Sequence, residues 1–224
     1  MQAQDVYKTV SARLQDLKIT RRWSWEAPST SEDASLQDFL NNALLNVVLQ
    51  RPDASSVVKT HICVEGCKQA LTSDDLCLLD CIYSLDENGD PDTVLTLIDR
   101  KDLDIYNSSW YQSKDSAPYH WAYDRLNAPR IFWVYPGCAT GDSLLVNVSE
   151  KPTTISAPTT TISIPDLYKP ALDAWVLYEV LASDTDDANW QKATQYQQTF
   201  YQILGVKLQT DMTNPINLRK NEGT

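Results

Sequence analysis

The sequence is poor in the groups that carry out chemistry. Its 224 residues hold two histidines, His61 and His120, in separate strand-like segments. Neither comes with a Ser or Cys in a recognisable nucleophile turn, which a histidine-assisted hydrolase requires. The most apolar stretch, RIFWVYPGCATGDSLLVNVSEKP at 130–152, has no His, no nucleophile turn and no Gly-rich phosphate loop. Carboxylates are plentiful but scattered, so paired acid/base work has no assigned partners. Positive charge is scarce as well: 19 Lys and Arg stand against 30 Asp and Glu, a net charge of −11. A duplex-binding protein needs a basic face to neutralise phosphates, and this composition excludes one. No run approaches the roughly 18 apolar residues that cross a bilayer. Residues 1–18 are polar and amphipathic, without the apolar core of a signal peptide. The expectation is a non-enzymatic protein with no cofactor, made and kept in a cytoplasm.

What is present suits a packed globular chain. A hydrophobic content of 42% with 22% charged residues is ordinary for a folded domain rather than a disordered tail. Five cysteines invite a metal reading through the pairs Cys63/Cys67 and Cys77/Cys81. On a regular strand Cys77 and Cys81 share a face but lie roughly 13 Å apart, too far to converge on one zinc. Cys63 and Cys67 flank Glu65-Gly66, a plausible hairpin turn, and lack two further ligands. All five read as small apolar core residues. The sequons at Asn107 and Asn147 carry no meaning without secretion.

Periodicity divides the chain. Val6, Val10, Leu14 and Leu17 form one helical stripe, and Leu36, Phe39, Leu40, Ala43, Leu44, Val47 and Val48 form another, ended by Pro52. Between them runs a polar loop with Trp23 and Trp25. Short strands are predicted at 57–64, 67–71, 76–85, 93–98, 119–124, 130–135 and 143–149, with a helix at 99–107. The 130–152 stretch reads as two strands of one hairpin. DENGDPD (86–92) lacks Gly and Glu at the positions an EF-hand demands, and reads as a hairpin turn. A Thr/Pro-rich extended connector follows. A helix from about 167 to 183 has Pro170 near its start and is apolar on two sides, so it needs two partners. A final helix carries Trp190, Ala193, Phe200, Tyr201 and Leu204 and closes at Gly205. The fold class is α+β: a helical bundle of N- and C-terminal helices with a β-rich insertion. Its parts are N-terminal helices at 1–56, the insertion at 57–164, a C-terminal helix pair at 165–207 and an extended tail at 208–224.

Trp110 and Tyr111, with Trp23 and Trp25, are the aromatics expected at a surface, whereas Trp133 and Trp175 fall in core elements. Such aromatics suit a protein interface better than a sugar site, since no polar cluster surrounds them.

The segments LNNALLNVVLQRPDAS, DRKDLDIYNSSWY, YDRLNAPRIFWVYP and IPDLYKPALDAWVLYEVLASDTDDANWQKATQYQQTFYQILGVK resemble a tailed-bacteriophage head-to-tail adaptor family. The resemblance follows chain order to about Lys207. It implies a virion structural protein, without catalytic activity, that is assembled in the host cytoplasm. It implies a homo-oligomeric ring, twelve-fold in related systems, joining the portal protein to the tail nozzle or tail tube at the head–tail junction. Genomic DNA would pass through the ring unbound, and no membrane would be involved. Leu172, Val176 and Val180 on the second apolar stripe are the candidate subunit interface. Leu208, Met212, Ile216 and Leu218 are the candidate portal-docking residues. Another neck or tail completion protein, or a carbohydrate-binding tail module, are the alternatives.

Overall fold

A computed structural model describes residues 1–14, 35–114, 117–183 and 187–212, the last of these by backbone alone at 187–188 and 206–212. It is mixed α+β, with five α-helices, one of which, α3 (Arg100–Tyr106), answers the helix expected at 99–107, and two sheets among the described residues. The chain divides into two compact units, Met1–Ala54 with Pro152–Thr224, and Ser55–Lys151.

The first unit is helical. Helix α1 (Ala3–Leu14) buries Val6, Val10 and Leu14 of the predicted stripe, with Tyr7 beside them, and Leu17 lies outside the described residues. Helix α2 (Leu36–Gln50) starts at a capping box, in which the Ser35 hydroxyl accepts from Asp38 N–H and the Asp38 carboxylate accepts from Ser35 N–H. It stops one residue before Pro52 is reached, as that proline dictates. The Thr/Pro-rich connector after residue 151 is extended and buries Ile155, Ile162 and Ile164 in this unit. Asn41 anchors it, accepting from Ile155 N–H at 2.8 Å and donating to Ile155 O at 3.1 Å. Helix α4 (Lys169–Ala182), with Pro170 in its first turn, packs against α1, α2 and the long α5 (Asp187–Met212). Nine of its residues are buried, including Leu172, Val176 and Val180.

Gly205 does not close the last helix. Helix α5 continues through it to Met212, so the extended tail expected from 208 is helical backbone as far as 212. A lone glycine costs a helix about 1 kcal/mol, which flanking residues of good propensity override.

The second unit is a sandwich of two four-stranded sheets. One has the order β1 (Ser56–Ile62), β8 (Ser143–Glu150), β3 (Asp75–Leu85), β4 (Pro91–Val94). The other runs β2 (Gly66–Ala70), β7 (Ile131–Cys138), β6 (His120–Tyr123), β5 (Thr96–Leu97). Their facing sides share one core, with Leu78, Cys81, Leu144 and Val146 from the first and Trp121, Phe132 and Val134 from the second. The 130–152 stretch is therefore not a hairpin. Its two strands, β7 and β8, lie in different sheets, and the Gly141 turn (φ 95°) carries the chain across the sandwich. Each strand buries one face in the shared core, which is why the stretch is so apolar. The Glu65-Gly66 turn likewise crosses between sheets, and the buried Gln69 amide braces it by bonding Val64 N–H, Val64 O and Gly66 O. DENGDPD does close a hairpin, pairing Leu85 with Pro91.

Candidate functional site

The helical stripe proposed as a subunit interface lies inside the chain. Leu172 and Val176 are fully buried and Val180 nearly so, against α4's own neighbours. Two apolar faces needed two partners, and the same chain supplies both. A second subunit would reach these residues only by opening the unit. Leu208 and Met212 lie on the α5 backbone, and Ile216 and Leu218 fall outside the described residues.

The aromatics sort differently from their sequence context. Trp110 is 3% exposed, because its 3-10 turn (Trp110–Gln112) folds it against Cys67 and Leu103, with Nε1–H donating to Asp104 at 2.7 Å. Tyr111 beside it is exposed, and Trp23 and Trp25 lie outside the described residues. Trp133 is partly buried under the Arg100 guanidinium, 5.1 Å from the ring centroid. Trp175 is buried against Phe200 at 4.6 Å.

The cysteines are all buried free thiols, but not in the pairs their spacing suggests. Cys63 and Cys81 join the inter-sheet core, Cys63 bonding Cys138, while Cys67 belongs to the cluster around Trp110. That hydrogen bond, followed by burial, pushes the Cys63 thiol far above the ordinary range. Cys77 and Cys81 do not share a face. Cys77 pairs with Ser149 on the outer side and Cys81 with Val146 on the core side, because a bulge intervenes between Leu78 and Asp80. Among the described residues no three His, Cys, Asp or Glu side chains gather as metal ligands. His61 stacks edge-on against Phe132 at 5.3 Å, and burial lowers its pKa. His120 bonds Thr96 Oγ1 through Nδ1 at 2.6 Å.

Large apolar side chains reach the surface of both units. On the sandwich, Val58, Ile62, Val64 and Val94 are exposed, and so are the acids of the β3–β4 turn. On the helical unit Leu49, Leu167, Trp190 and Tyr201 are exposed. Sequence reasoning missed the β1 surface because its charged residue, Lys59, and its His61 face inward and leave Val58 and Ile62 outside. Lys59 turns to Asp75 at 2.5 Å and Glu150 at 2.9 Å.

Exposed apolar side chains on both units are the surface features suited to contact with other proteins. The chain belongs to the SU10 adaptor protein family, whose model matches residues 1–219. It is thus a bacteriophage structural adaptor, a virion component that interacts with other phage capsid or tail proteins. Among curated proteins none matches it. No described helix is long and apolar enough to cross a membrane.

Proposed function

We propose that this adaptor acts at the head–tail junction, forming a ring that joins the portal to the tail nozzle and lines the DNA channel. The observation that carries the reading is the span of the family match: residues 1–219 take in both units, so the adaptor assignment is not borrowed from one of them. The charge of −11 agrees with it, since an acidic channel wall lets DNA slide without sticking. In this reading the chain performs no catalysis and is assembled in the host cytoplasm. The helices from both ends of the chain act as one bundle, with the β-rich insertion as its second working part.

Residues beyond the core of α5 dock on the portal, with Leu208, Met212, Ile216 and Leu218 as the apolar contacts. Pro215 lacks a backbone N–H, and the four apolar residues are spaced along the segment as contacts for a partner. Deleting 209–224 tests this against purified portal protein of the same virus. The expected result is an unchanged melting temperature with portal binding lost. A lowered melting temperature would mean that the tail packs on its own subunit, and retained binding would overturn the assignment.

A further inference from the structure

The sandwich has four sheet edges, and three of them are blunted. Strand β4 opens with Pro91 and exposes Asp92, β5 is two residues long, and β2 has a register shift between Gly66 and Lys68. These are the devices by which proteins stop an edge from recruiting another strand. Strand β1 has none of them. It runs seven residues in unbroken register with β8.

The orientation of β1's free groups follows from one bond. Cys63 N–H donates to Asp142 O at 2.7 Å on the β8 side. Antiparallel alternation then directs the N–H and C=O of Val58, Thr60 and Ile62 to the open edge. Their side chains share the outer face, where Val58 is 55% and Ile62 69% exposed. Lys59, the one charged residue in the strand, faces the other way into its ion pairs with Asp75 and Glu150 and does not guard the edge.

The strand is also self-complementary about Thr60. Laid antiparallel on a copy of itself with Thr60 opposite Thr60, it sets Val58 against Ile62 on each side of the centre. The same register sets Lys59 against a neutral His61, so no like charges oppose each other. We propose that the open edge of β1 is a self-association surface, to which a second copy of this chain adds its own β1 antiparallel about Thr60. The product is one continuous sheet across a two-fold axis. Main-chain hydrogen bonds supply the attraction, and the Val58–Ile62 pairs fix the register. Each copy carries a net charge of −11, so association strengthens as salt is added. This pairing of free chains stands apart from the ring and from portal docking.

Sedimentation equilibrium on the full chain tests it, together with Ile62→Lys and Thr60→Cys. Wild type is expected to show a monomer–dimer equilibrium that Ile62→Lys weakens by roughly tenfold or more. Under copper-catalysed air oxidation, Thr60→Cys should give a disulfide-linked dimer, two thiols passing two electrons and two protons to oxygen. Paired Cα atoms about 5.5 Å apart allow that bond. Wild type, whose cysteines are all buried, should not cross-link. Wild type that stays monomeric up to its solubility limit overturns the proposal. So does an oligomer indifferent to Ile62→Lys, or one in which Thr60→Cys fails to cross-link, since another partner surface would then be in use.

Discussion

Each unit buries an aspartate, and the two environments act in opposite directions. In the sandwich, Asp75 is 1% exposed, and burial alone would raise its pKa. Lys59 at Oδ1 and Thr72 N–H and Oγ1 at Oδ2 outweigh that and hold the carboxyl below its usual range. In the helical unit, Asp173 is 4% exposed and has Lys169 at 3.1 Å on Oδ2, while Oδ1 has no hydrogen-bond partner among the described residues. Burial wins there and raises the pKa. A buried carboxylate stabilises a fold only when its lone pairs are answered. The sandwich ties its edge strand with a completed polar cluster, whereas the helical unit holds by apolar packing and tolerates an incomplete one.

Substitutions sharpen the contrast when amide hydrogen exchange is followed separately in each unit. Val176→Glu should have the largest effect, about 4 kcal/mol, because it leaves an unpaired charge in a fully buried site. Exchange should accelerate in α1, α2, α4 and α5. Protection retained there would show that α4 has an open face after all. Gly137→Ala should cost the sandwich about 3 kcal/mol. An added Cβ would lie 2.2 Å from Ser113 O and 2.9 Å from Gly66 C, backbone atoms with little room to yield.

Two smaller effects differ in their pH dependence. Asp75→Asn should cost about 2 kcal/mol at neutral pH, since Lys59 loses its principal buried partner while staying partly exposed. The folded pKa of Asp75 is depressed, so its contribution is present above the unfolded value near 3.9 and fades as pH falls through the folded one. The wild-type advantage should therefore shrink in acid, as urea titrations at several pH values would show. Asp173→Asn should shift stability by no more than about 1 kcal/mol, in the stabilising direction at neutral pH. Its folded pKa is raised, so its contribution is full below the unfolded value and is lost as pH rises through the folded one. An Asp173→Asn protein clearly less stable than wild type at pH 7 would mean that the Lys169 pair outweighs burial.

The parts of this fold that were legible in sequence depend on local pattern. The stripes of α1 and α2, the stop at Pro52 and the β3–β4 turn all come from neighbouring residues acting on one another. The parts that were not legible depend on distant partners. Strand β3 turns Leu78, Cys81 and Ser84 to one side at a spacing of three, because register shifts against β8 break its alternation. Nothing within the strand announces those shifts. The predicted strand at 93–98 is two strands in different sheets, β4 and β5, with Leu95 buried between them. Lys59 faces inward because Asp75 and Glu150 await it there, sixteen and ninety-one residues along the chain. For α4, sequence showed two apolar faces without saying that α1, α2 and α5 cover both.

Cryo-electron microscopy of the virion neck tests the central claim most directly. The account predicts copies of this chain in a closed ring between the portal and the tail nozzle, around the DNA path. Density for the chain in another layer of the particle, with a different protein filling that position, would contradict it.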